Sequence, residues 1–256
     1  MPALLKTTMK QLSLREKAIV AGLYLSKFDS EGLRRLGFDN FIEAFNVIGL
    51  ALGVRPASVR NYRDEFDPLF PNKRKGWHKR PIRDYCNAIY NTFGQLGLEN
   101  FTKFLKQIIY KEPDLEVLME EVDRKEGEDL SFARRLITGQ AAEQYFKAKY
   151  KEISQFQDFE FEDTTRLGCG FDFRLVSPSI FYGIEVKGLS ESTGSIALTR
   201  KEHSVASVLK ERFFLFVVKN FKEKPFHELY QDPLNGKLVF SKVEQRVVQI
   251  SWTTRV

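Results

Sequence analysis

Two acids and a lysine stand close together in the stretch GCGFDFRLVSPSIFYGIEVKG, residues 168–188. Its apolar residues form two short runs with strand character, and Ser177, Pro178 and Ser179 between them supply a turn. If Val176 and Phe181 pair across that turn, Asp172 falls opposite Glu185. Directly opposed residues have Cβ atoms about 4.5 to 5.5 Å apart, where like charges repel. A hairpin built for stability alone would avoid this pair, whereas a divalent cation between the carboxylates removes the objection. The two-residue period of a strand also puts Glu185 and Lys187 on one face and Ile184 and Val186 on the other. Hydrolysis of a phosphodiester needs charge stabilisation on the phosphate and an activated water. Carboxylate oxygens holding magnesium supply the first, and an ammonium beside them can hold the water and stabilise the phosphate charge.

The same residues carry a family resemblance. GFD, followed after a turn by IEVKG, resembles the signature of the PD-(D/E)xK nuclease superfamily. More narrowly, YGIEVKG, SIALTRKE and RFFLFVV resemble the nuclease-like domain at the C-terminus of the plant protein NO VEIN, which also occurs in bacterial defence proteins. The resemblance implies a mixed sheet flanked by helices, with Asp172 and Glu185 as ligands of one or two magnesium ions and Lys187 at the attacking water. It also implies that Glu143, in the preceding segment GQAAEQYFKAKY, joins the metal site as a further catalytic carboxylate. Phe171 replaces the proline that gives the motif its name, at a position that does no chemistry.

Other polar residues are assigned quieter roles. Thr199 and Glu202 form a T-x-x-E capping box, so Glu202 is expected to be structural. His78, His203 and His227 are separated from one another and from Cys86 and Cys169, which argues against a zinc site. The two cysteines give no disulfide framework and suit a reducing cytoplasm. No GxxxxGK[ST] loop is present, and no stretch approaches the roughly 20 apolar residues of a membrane span. A soluble cytoplasmic protein is the expectation.

The elements that position the acids come from two textures. Residues 12 to 110 show helical spacing, as in Phe41, Ala44, Phe45, Ile48 and Leu52, punctuated by glycine and proline. Residues 112 to 129 carry nine acids and Gly127, and mark the expected join between a helical domain, 1–125, and a nuclease domain, 126–256. A helix at 130–152 is followed by strand-like runs near 157–163, 169–176, 180–187, 194–199, 212–219 and 245–252, with a helix at 200–210. The fold expected is α+β overall: an all-α N-terminal domain, then an α/β restriction-endonuclease-like domain with a mixed central sheet.

The first domain reads as a nucleic-acid reader. The formal charge is +6, and residues 55–83 supply all of it, with nine Lys and Arg against three acids. Within DNFIEAFNVIGLALGVRPASVRNYRDEF, a helix, a glycine-bounded turn and a second helix entered through Pro56 suggest a helix-turn-helix. Its second helix would offer Ser58, Arg60, Asn61 and Arg63 to the major groove. Lys73, Arg74, Lys75, Lys79 and Arg80 would then follow phosphates, with Trp77 available for stacking. These features together point to a magnesium-dependent DNA endonuclease of the restriction type, site-specific or modification-dependent, acting on double-stranded DNA as a homodimer. The alternatives are a structure-selective repair nuclease or resolvase, and a DNA-binding regulator with an inactive nuclease fold.

Overall fold

A computed structural model describes residues 12–74, 76, 80–110, 126–236, 238–244 and 254, with backbone alone at 126–132. Helix α1, Leu14–Arg35, is opened by a capping box in which the Ser13 side chain accepts from the Glu16 amide while Glu16 reaches back to Ser13. Residues 18–26 of this helix are buried on every side, so α1 is the axis of the helical half. It breaks at Asp29, where φ is +46°. Around it lie α2, Phe41–Ala51, α3, Pro56–Phe66, α4, Asp84–Phe93, and α5, Leu98–Ile109. Tyr24 of α1 is fixed to α5 by a 2.6 Å hydrogen bond to Thr102.

Helix α6 runs over Glu126–Lys149 and passes through Gly127 without a break, so it starts earlier than the 130 expected. The rest of the acidic join, 111–125, lies outside the described residues. Then come β1, Glu160–Asp163, β2, Phe173–Val176, β3, Phe181–Gly188, α7, Arg200–Leu209, β4, Phe213–Lys219, and β5, Phe226–Gln231. The strands form one sheet in chain order, antiparallel except for β3 and β4, which run parallel with α7 in the connection. The mixed sheet and the helical first half make the fold α+β, as expected.

Strand β4 is apolar and buried on both faces from Phe213 to Val218, as befits a central strand with a parallel neighbour. Phe214, Phe216 and Val218 face α6, where Phe146 stacks on Phe173 of β2 at 5.3 Å and meets Phe216 edge-on at 4.9 Å. Buried residues of the helical half and of the sheet belong to one continuous cluster. Polar groups stitch the same junction: Asn46 Nδ2 donates to the carbonyls of Phe221 and Glu223 at 2.8 and 2.9 Å, and Gln140 Nε2 to those of Ala51 and Ile109 at 2.9 and 3.0 Å.

Two strand expectations need correction. Residues 194–199 form no strand; Ile196 and Leu198 are half-buried in an alternating pattern, but β3 already has β2 on one edge and β4 on the other. Strand β5 was not anticipated because FHELYQ mixes charge and aromatics and stays half-exposed at the sheet edge, with no apolar run to reveal it. The expected strand at 245–252 lies outside the described residues.

Candidate active site

The hairpin keeps the register read from its turn: Val176 pairs with Phe181 and Phe173 with Ile184. Asp172 sits one residue beyond this ladder. Its amide donates to the Ile184 carbonyl at 2.9 Å, and its Oδ2 accepts from the Val186 amide at 2.9 Å. The approach to Asp172 is tight. Gly170 has φ +89°, and a Cβ there would stand 2.7 Å from Val205 Cγ2 on α7. On the other side of the site, a Cβ at Gly188 would lie 2.8 Å from the Thr138 carbonyl, so the end of β3 rests directly against α6.

Glu185 is 3% exposed, and Ile184 and Val186 enter the core on the opposite face of β3, as the two-residue period requires. Lys187 Nζ lies 2.6 Å from Glu185 Oε1 and donates to Glu202 Oε2 at 2.8 Å. Glu202 does form the capping box with Thr199, accepting from the Thr199 amide at 3.0 Å. The same carboxylate oxygen holds the lysine, so a residue assigned only to capping also belongs to the site. The T-x-x-E pattern reveals the cap and carries no signal for the second contact, which depends on where α7 docks on the sheet.

Burial pushes the Asp172 carboxyl up to about 7; the Val186 amide opposes this, while Glu143 and Glu202 add to it. Burial also drives Glu185 upward, with Asp172 as its main repulsive neighbour. Lys187 is raised. Burial favours its neutral form, but Glu185 and Glu202 outweigh that and keep it an ammonium. The floor of the site therefore holds two neighbouring carboxyls whose charge is poorly compensated, beside one shared cation.

All of these groups open into a cleft of about 1070 Å³. Its lining comes from both halves of the chain, with Arg34, Phe38 and Asp39 from the helical half and Leu189, Ser195 and Ile196 from the segment after β3. Glu143, which the resemblance implies as a further ligand, lines this cleft too, and its charge acts on Asp172. Among the described residues no three His, Cys, Asp or Glu side chains form a group able to hold a metal ion. Asp172 and Glu185 alone still suit magnesium, which usually takes one or two carboxylates and completes its shell with water and substrate phosphate.

The expected reader residues divide sharply. Helices α2 and α3 are bent by 120° across a short turn, within the range of a helix-turn-helix. Arg60 and Asn61 are exposed on α3 and Ser58 is half-buried. Arg63 is not displayed: its side chain is 12% exposed, bonds Asp64 at 2.6 Å, and packs over Phe41 and Phe45 at 5.1 and 4.9 Å. Arg74 bridges Asp29 and the buried Asp67 at 2.8 Å each, and Arg80 forms a two-pronged pair with buried Glu65. These three arginines neutralise acids of the helical half instead of standing ready for phosphate. Lys73 is exposed, while Lys75, Trp77 and Lys79 lie outside the described residues.

Among the described residues no single helix is long and apolar enough to cross a membrane. Comparison with protein families matches residues 141–231 to the model described as Protein NO VEIN, C-terminal. The match spans α6 from Ala141 to the end of β5 and so includes Glu143, Asp172, Glu185, Lys187 and Glu202. No curated protein and no solved structure matches the chain.

Proposed function

We propose that the protein is a magnesium-dependent endonuclease that hydrolyses DNA phosphodiester bonds at the cleft containing Asp172, Glu185 and Lys187. The observation that carries this reading is the closeness of a buried carboxylate, Glu185, and a half-buried one, Asp172, to an ammonium at the floor of an open cleft. Such an arrangement costs the fold stability, and uncompensated acids gathered in a cleft mark a functional site. A magnesium ion held by Asp172 and Glu185 would stabilise charge on the scissile phosphate. The chain's own contribution centres on Lys187. Held between Glu185 and Glu202, its ammonium is an oriented donor that can hold a water and stabilise a phosphate oxygen; it is not a proton acceptor. Asp172 is itself oriented by the Val186 amide, so its free carboxylate oxygen is directed by the backbone of the strand that carries the other two groups.

Within this reading, a restriction-type enzyme is supported by the joining of the cleft to a bent helix pair that exposes Arg60 and Asn61. Two-strand cleavage would then call for a homodimer or for sequential nicking. Incubating plasmid DNA with the protein and magnesium, beside the Lys187→Ala form, tests the proposal. Cleavage should require the metal and fall roughly 10²- to 10⁴-fold in the variant. If wild-type protein leaves the plasmid intact across a range of divalent metals, the hydrolytic reading is wrong.

A further inference from the structure

We propose that the phosphates flanking the scissile bond are gripped by Arg34 of the helical half together with Arg135 of α6, so that the nucleic-acid site is built by both halves. This deepens the hydrolytic reading and rests on it. Both arginines are exposed and both line the cleft that contains Asp172, Glu185 and Lys187.

The charges of the cleft explain why Arg34 matters. Arg134 lies 2.6 Å from Glu43 and 3.1 Å from Asp39, and Lys187 is occupied by Glu185 and Glu202. Those cations offset acids of the protein itself. Arg34 forms no ion pair with any described residue. A polyanion entering a cleft floored by carboxylates needs positive charge along its lining, and Arg34 offers it from the helical half.

Position at a helix end does not account for Arg34. A cation in the last turn complements the α1 dipole, but Arg35 does this equally well. Arg35 is exposed yet lies outside the cleft, where its charge acts on Tyr24 and Glu99. The two neighbours have the same chemistry, and of the two only Arg34 lines the cleft.

That contrast supplies the experiment. Binding of a fluorescent duplex oligonucleotide is measured by anisotropy across a salt series, with calcium in place of magnesium, for wild type, Arg34→Ala, Arg34→Glu, Arg135→Ala and Arg35→Glu. Loss of one phosphate contact should weaken binding several-fold and reduce the slope of log affinity against log salt by about one. Arg34→Ala and Arg135→Ala should each show this, Arg34→Glu more strongly, and Arg35→Glu should match wild type. Equal effects at Arg34 and Arg35, or none at Arg34, overturn the proposal. Plasmid cleavage by the wild type is scored separately: cleavage without dependence on Arg34 removes the phosphate grip alone, and dependence on Arg34 without cleavage removes the hydrolytic reading alone.

Discussion

At the floor of the cleft, Asp172 and Glu185 occupy surroundings that penalise their charge. Their folded-state affinities for protons are raised, Asp172 to about 7, well above the roughly 4 of an exposed carboxylate. For acids shifted in this direction the folded state binds protons more tightly than the unfolded chain. Stability from these groups is therefore present at low pH and is lost as pH rises from about 4 through the folded values. In a chelator, the melting temperature should fall between about pH 5 and pH 8 more steeply in the wild type than in an Asp172→Asn, Glu185→Gln double variant. Magnesium at pH 8 should raise the wild-type melting temperature and leave the double variant unmoved. A chelated wild type whose pH profile overlies that of the double variant would show that the two acids are not strained by burial.

Helix α7 links stability to the site through one side chain. Its capping box sets the first turn, and the Glu202 carboxylate that completes the box also holds Lys187. Thr199→Ala removes the 3.2 Å contact from the Glu202 amide and should cost about 1 kcal/mol, read as a drop of a few degrees in melting temperature. Helix α3 gives a contrast of another kind. Arg60 has a 66% exposed side chain, so Arg60→Ala should weaken DNA binding while leaving thermal stability within about 0.5 kcal/mol. Arg63→Ala should instead destabilise, because it strips a cation from Asp64 and uncovers the rings of Phe41 and Phe45. Comparing melting curves with binding isotherms separates the two roles. Equal stability losses at both positions would contradict this division of the helix.

Across the whole molecule, the helical half and the sheet share a core and a set of buried polar contacts. Asn46 satisfies two carbonyls that lie beyond the end of β4. Asn46→Ala leaves both without that partner and should cost about 2 kcal/mol. Because the buried cluster is continuous, unfolding by urea should follow a single transition, the same by far-ultraviolet dichroism and by hydrogen exchange of α1 and β4 amides. Separate transitions for the two halves would show that the shared core is energetically minor.

The hairpin was legible in the residues because its information is local: a turn, a two-residue period and alternating burial set the register that brings Asp172 beside Glu185. The helices of the first half and strand β4 were legible for the same reason, since apolar spacing reports which face is buried. Side-chain partnerships over long separations left no such trace. The tie between Glu202 and Lys187 and the pairing of Arg63, Arg74 and Arg80 with internal acids both depend on how elements dock. A charged residue looks the same in the chain whether it meets solvent, phosphate or a buried carboxylate. Packing chooses among these, because burying an acid without a cation costs more than withdrawing an arginine from the surface.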